Sequence, residues 1–322
     1  MATNCCADCS KEEERGISLK TCKSCMQARY CNAACQKKHW ATHKKSCKQR
    51  AAEIRDEALF KDPPSTEDCP ICFLPMPVKL ICCISLLFAT VLSVPISDFA
   101  DANEELEKWP LVGYYPCCGK SICGGCVHSF RKSGNADKCP FCNSDRSSKT
   151  LEESVEEIMK RVEANDAASI CSLAQHYYNG EGGVQQDQAK AMELYARAAD
   201  LGSSEAHSQL GGNYYKEGDL KKAKFHNEAA AMAGHEMARY NLGYFEVKSG
   251  NIERAMKHWA IAASAGYHKA MFQLKIGFEN GHVSRESIDS TLAAYNSSCT
   301  EMRSEARDAY INKILTNIEN EA

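Results

Sequence analysis

Long apolar runs are nearly absent from these 322 residues. The one candidate, LICCISLLFATVLSV at 80–94, spans 15 residues between Lys79 and Pro95, whereas a membrane-crossing helix needs about 20. It also interrupts a metal-binding pattern whose halves must stay on one side of a bilayer. A buried insertion or an apolar contact surface is therefore expected, and a membrane partner is not. An excess of one charge is lacking too. The chain has 39 Lys+Arg against 42 Asp+Glu, a net charge of −3, which singles out no class of partner. No glycine-rich phosphate loop and no catalytic constellation occurs. The first residues, MATNCCADCSKEEERG, are polar and charged, unlike a secretory leader.

Cysteine is scarce in the second half and dense in the first. Of 20 cysteines, only Cys171 and Cys299 lie beyond residue 142. The others come largely as CxxC pairs accompanied by histidine, which favours zinc over a disulfide framework. A reducing compartment, cytoplasm or nucleus, follows as the expectation.

In residues 1–50 the candidate ligands are Cys6 and Cys9, Cys22 and Cys25, Cys31 and Cys35, then His43 and Cys47. A CxxC turn presents two thiolates to one metal, and structural zinc takes four ligands. Cys31/Cys35 and His43/Cys47 are four apart, so each pair shares a helix face. Eight ligands make two closed, structural sites. Cys5 is an alternative to Cys6, and His39 a competitor of His43. The module holds 11 Lys+Arg against 4 Asp+Glu. Bound thiolates offset much of that excess, so a solvated basic face is expected rather than nucleic-acid binding.

The segment TCKSCMQARYCNAACQKKHWATHKKSC closely resembles the MYND zinc finger. The resemblance implies interleaved sites, with Cys6, Cys9, Cys31 and Cys35 on one zinc and Cys22, Cys25, His43 and Cys47 on the other. It also implies a groove for a proline-containing peptide, lined by Gln36 and Trp40.

A second module spans residues 69–146, with a long insertion at about 73–116. It opens with Cys69-Pro-Ile-Cys72, continues with Cys117-Cys118-Gly-Lys-Ser-Ile-Cys123-Gly-Gly-Cys126, and closes with Cys139-Pro-Phe-Cys142. The pattern resembles a RING finger. That resemblance implies a cross-brace, with Cys69, Cys72, Cys123 and Cys126 on one zinc and Cys117, Cys118, Cys139 and Cys142 on the other. It also implies docking of a ubiquitin-conjugating enzyme through Ile71, Pro140 and Phe141. The match has departures. Lys120 stands where the family has a ligating histidine. Adjacent cysteines usually diverge, which leaves Cys82 or Cys83 as alternatives to Cys117. Asn143 replaces the basic residue that active ligases often carry.

Residues 51–68 read as a linker, with a polar helix over 48–62 and a break at Pro63-Pro64. A connecting helix is expected over 147–165. Thr150 and Glu153 have capping-box spacing, and Leu151, Val155, Ile158 and Val162 share one face. From 166 to 282 the chain repeats. The units start at Ser169, Ala206, Ala238 and Ala270, each with a leucine four residues on. Alanine-rich second helices carry Ala198-Ala199, Ala229-Ala230 and Ala262-Ala263. Such units bury little alone and must stack. The phrase GVQQDQAKAMELYARAADLG resembles Sel-one-like repeats, relatives of tetratricopeptide repeats, which implies protein–protein scaffolding. Residues 283–322 are expected to form capping helices.

The expected fold is multi-domain: two small zinc-stabilised cross-brace modules followed by an all-α superhelical solenoid of helix pairs. About four structural Zn²⁺ per chain are expected. The expected function is a protein-interaction scaffold, with the array reading a protein ligand on its concave face. The alternative is a RING-type ubiquitin ligase without a catalytic nucleophile.

Overall fold

Two prolines, Pro63 and Pro64, follow a helix that contains none, and the chain divides there. In the computed structural model, which describes residues 5–10, 18–64, 67–76 and 112–321, the compact units are Met1–Lys61 and Asp62–Ala322. The apolar run 80–94 and Cys82 and Cys83 lie outside the described residues. Among the described residues no helix is long and apolar enough to cross a membrane.

In the first unit, β1 (Lys20–Thr21) pairs antiparallel with β2 (Arg29–Tyr30). Then α1 (Ala33–Leu59) begins at Asn32, whose side chain accepts the Cys35 N–H. The expected linker helix is no separate element. It continues α1 without interruption, because Ala, Lys, Arg and Glu fill the segment and nothing before Pro63 breaks it. The buried cluster consists of Cys6, Leu19, Cys22, Cys25, Tyr30 and Cys47. Only two of the six are not cysteines, so packing alone cannot hold this unit.

In the second unit, β3 (Val112–Tyr115) and β4 (Lys120–Cys123) form an antiparallel hairpin, with Val112 opposite Cys123. Helix α2 (Gly124–Phe130) follows, then a π-type turn over Arg131–Asn135. Helix α3 (Leu151–Glu163) carries the reciprocal Thr150–Glu153 box. Val155, Ile158 and Val162 are buried on its inner face, whereas Leu151 points to solvent. Leu151 is the first helical residue.

Helix pairs follow: α4 (Ala167–Asn179) with α5 (Gln188–Asp200), α6 (Ser204–Lys216) with α7 (Leu220–Met232), α8 (Glu236–Lys248) with α9 (Ile252–Ser264), then α10 (His268–Glu279). Leu173, Leu210, Leu242 and Leu274 are buried at the same repeat position. The alanine pairs sit between helices as expected, with one shift: in α7 the fully buried pair is Ala230-Ala231. Gly243 marks the closest approach. A Cβ there would lie 2.2 Å from Trp259 Nε1, and that nitrogen donates to the Tyr240 carbonyl at 3.1 Å.

Helix α11 (Arg285–Glu301) packs against α9 and α10, as a cap should. Helix α12 (Glu305–Glu321) does not extend the array. It lies against α2 of the cysteine module, and Gly125 of α2 permits this. A Cβ on Gly125 would sit 2.7 Å from the Arg307 backbone nitrogen.

Candidate metal centres

Four of the five CxxC segments close the same turn; the fifth, Cys123–Cys126, runs into α2. Ser10, Met26, Phe73 and Asn143 stand one residue after the second cysteine, and all have φ near +56°. Their N–H groups donate to the carbonyls of Cys6, Cys22, Cys69 and Cys139 at 2.8–3.0 Å. This left-handed conformation costs a non-glycine residue about 1 kcal/mol or more. Four repetitions of it aim four pairs of sulfurs. Asn143 thus has a local reason to be asparagine, which tolerates this conformation better than most residues.

Among the described residues the donors converge as four groups, each with all ligand atoms within 4.8 Å: Cys6, Cys9, Cys31 and Cys35; Cys22, Cys25, His43 and Cys47; Cys69, Cys72, Cys123 and Cys126; Cys117, Cys118, Cys139 and Cys142. In both modules the first and third pairs meet, as do the second and fourth. Cys5 and His39 stand outside the groups. His39 instead pairs through Nδ1 with the Tyr30 hydroxyl at 2.9 Å.

The donor sets suit a tetrahedral metal. Sulfur–sulfur separations are 3.6 Å for Cys9–Cys31, 3.7 Å for Cys22–Cys47, and 3.8 Å for Cys69–Cys126, Cys72–Cys123 and Cys118–Cys139. A tetrahedron with zinc–sulfur bonds of about 2.3 Å has edges of about 3.8 Å. These distances are far too long for disulfides. Cys25 Sγ and His43 Nε2 are 3.3 Å apart.

The thiols are in conflict without a cation among them. Burial opposes ionisation of Cys22, yet the backbone of Cys25 and the His43 side chain bring it down to about 6. Its partner Cys47 is pushed up to about 12 by burial and by Cys22 and Cys25. Ser144 brings Cys142 down to about 6, while burial and then Cys142 and Cys139 push Cys118 up to about 12. A divalent cation removes this conflict, because it allows all the thiolates of one group to be ionised together.

Cys117 and Cys118 reach one group although they are adjacent. The turn between β3 and β4 is tight: Cys118 and Gly119 both donate to the Tyr115 carbonyl, at 3.1 and 2.8 Å. Arg161 of α3 holds the outside of this turn, donating Nε to the Pro116 carbonyl and Nη2 to the Cys117 carbonyl at 3.1 Å. Gly119 has φ +64°, and a Cβ there would meet Arg161 Nη1 at 2.3 Å. Lys120 lies over the Phe141 ring at 4.8 Å.

Arg161 and Arg307 support the donor groups from distant elements, and nothing in the local sequence marks them. Arg307, at the start of α12, is buried and directs Nη2 to Cys72 Sγ and to the Leu74 carbonyl. Of the remaining sequence-predicted residues, Gln36 and Trp40 are exposed on α1. Ile71 is exposed, and Pro140 and Phe141 are half-buried. The Phe141 ring meets Tyr115 edge-on at 6.3 Å.

Two cysteine modules with interleaved tetrahedral donor sets, joined to stacked helix pairs, define a metal-binding finger protein with a helical-repeat array. Residues 6–47 match the family model of the MYND finger, and residues 167–203 and 227–267 match that of the Sel1 repeat. The chain therefore carries a MYND finger and Sel1 repeats. The RING-like part rests on its cysteine clusters. A comparison with curated proteins gave no match. Among solved structures, the chain is similar to a Sel1 repeat protein from Oxalobacter formigenes, at 23% identity over 56% of this chain and 72% of that one, TM-score 0.42. It is also similar to a protective antigen of uropathogenic Escherichia coli with an SLR fold, at 21% identity, TM-score 0.39; the match covers 52% of this chain and 40% of the antigen. An immunity protein from Pseudomonas aeruginosa is similar at 19% identity over 61% of this chain and 86% of that one, TM-score 0.30.

Proposed function

We propose that this protein is a zinc-dependent interaction scaffold holding four structural Zn²⁺, with its finger and its repeat array each engaging a protein partner. All four donor groups are complete, with four side-chain ligands each. No ligand position is then left for a substrate water, so the metal shapes surfaces.

The observation that carries the reading is the two-sided use of α1. Cys35, His43 and Cys47 face the donor groups, while Gln36 and Trp40, four residues apart, face solvent. Trp40 is 40% exposed, and its ring meets His43 edge-on at 6.3 Å. A metal-anchored tryptophan with a neighbouring amide suits a proline-containing peptide, because the ring stacks on the pyrrolidine and the amide pairs with its backbone. In the array, Tyr215, Tyr244, Phe245 and Lys248 line a cavity of about 220 Å³ between α6, α7 and α8. Aromatic side chains with a cation at the edge suit a protein ligand there.

The test is peptide binding by the intact zinc-loaded chain, read by fluorescence anisotropy against a panel of proline-containing peptides. Binding that Trp40→Ala abolishes, with zinc content unchanged, is the expected result. Absence of binding across the panel contradicts the finger's assigned role. The ubiquitin-ligase alternative would need Ile71, Pro140 and Phe141 as a docking surface. Phe141 is already engaged with Tyr115 and Lys120, which favours the scaffold. No zinc-dependent ubiquitin chains are expected with a panel of conjugating enzymes.

A further inference from the structure

Helix α12 and the second cysteine module enclose a cleft of about 710 Å³. Its charge is unlike that of the chain as a whole. Arg131, Lys132, Lys138, Arg146 and Lys313 line it, against the single acid Asp137. None of these five cations is in an ion pair among the described residues. His128 also stands at the wall. Like charges gathered together raise one another's energy, and an anionic ligand removes that penalty.

We propose that this cleft binds an acidic peptide segment, with Arg131 and Lys313 as its opposing cationic walls. Arg131 follows α2 and Lys313 belongs to α12, so the site exists only where the C-terminal helix meets the module. The floor supports peptide over nucleic acid. Val127, half-buried at the cleft wall, suits the methylenes of Glu side chains. A nucleic-acid track calls for a continuous basic stripe, and the chain carries a net charge of −3. Arg146 stacks its guanidinium on the Tyr115 ring at 5.0 Å, which presents its N–H groups edge-on to a carboxylate. This goes beyond the scaffold reading, because it gives a ligand class to a surface that the finger and the array do not use.

The test uses the full zinc-loaded chain and a fluorescein-labelled decapeptide of Asp and Glu, titrated by anisotropy. A neutral decapeptide and a single-stranded oligonucleotide of similar charge are run in parallel. Saturable binding of the acidic peptide that weakens with salt is expected. The double substitution Arg131→Glu with Lys313→Glu should lower affinity at least tenfold, and Arg131→Gln with Lys313→Gln less. Lys37→Glu with Lys38→Glu, in the basic finger, should leave it unchanged. Zinc content and far-ultraviolet dichroism verify folding of each variant. Absent binding, or binding unaffected by both cleft variants, overturns the proposal. An oligonucleotide that binds more tightly than the peptide overturns the ligand class. Failure here leaves the proline-peptide assay at Trp40 untouched, so the two readings are separable.

Discussion

Arg307 places its Nη2 3.6 Å from the sulfur of Cys72, across 235 residues of sequence. The same guanidinium donates to the Leu74 carbonyl at 3.3 Å and to the Met302 carbonyl at 2.6 Å, and the residue is 3% exposed. Four thiolates around a divalent metal leave two negative charges, and the buried cation offsets one of them. A helix from the C-terminal end thus stands as an outer-sphere partner of the candidate metal site of Cys69, Cys72, Cys123 and Cys126.

Arg307→Ala is expected to weaken one of the four metal sites by about tenfold or more. Arg307→Lys keeps the charge, loses the forked geometry and should fall between. Zinc release to a colorimetric chelator reads this directly. One fast-releasing equivalent is predicted, and four unaltered equivalents would contradict it.

Removal of metal should act unequally on the two halves. The finger's buried cluster has only Leu19 and Tyr30 beside its cysteines, whereas the repeats have their own core around Ile170, Leu173, Tyr195 and Leu210. With a strong chelator, limited proteolysis should cleave within residues 18–61 and spare 167–279. Equal loss of both would contradict this account.

Gly243→Ala should destabilise the array by about 1–3 kcal/mol, because the new methyl overlaps Trp259 in a packed interface. A lower melting temperature in the zinc-loaded protein is the expected outcome. An unchanged one would mean that the indole shifts at no cost.

The array also contains a buried acid. Glu246 accepts from Lys224 at 2.8 Å and from Asn251 at 2.9 Å, and pairs with Arg254 at 3.4 Å. Burial opposes its ionisation, but Lys224 and Asn251, with Arg254, outweigh burial and hold its pKa below the ordinary value. The folded-state pKa is depressed, so the pairing stabilises fully above the unfolded-chain value of about 4.3 and is lost as pH falls through the folded value. Glu246→Gln should cost about 2 kcal/mol at neutral pH, less than a fully buried pair because Lys224 and Arg254 reach water. In denaturant titrations the gap to the parent protein should close below about pH 4. A gap independent of pH would contradict the assignment.

The grouping of the candidate metal ligands was legible because their chemistry is local. A CxxC turn and an i, i+4 pair on a helix are fixed by a few residues, and the interleaving followed from a family resemblance. The repeats were legible because the chain resembles itself, with Leu210 and Leu242 in register. What escaped depends on distant partners. Nothing near Arg161 marks it as the residue that holds the Cys117 turn, and nothing near Arg307 marks a metal neighbour. The course of α12 was misjudged for the same reason. It reads as a terminal cap, but Gly125 offers it a closer seat on the cysteine module. Leu151 fitted the periodicity of α3 and is nevertheless exposed, at the helix's first position.

The central claim is that four complete tetrahedral sites shape this scaffold, including the one that uses the adjacent pair Cys117 and Cys118. Zinc content of the intact chain by native mass spectrometry tests it most directly. Four Zn²⁺ per chain is the predicted result, falling to three in Cys117→Ala with the finger's two retained. Three or fewer in the unaltered protein would contradict it.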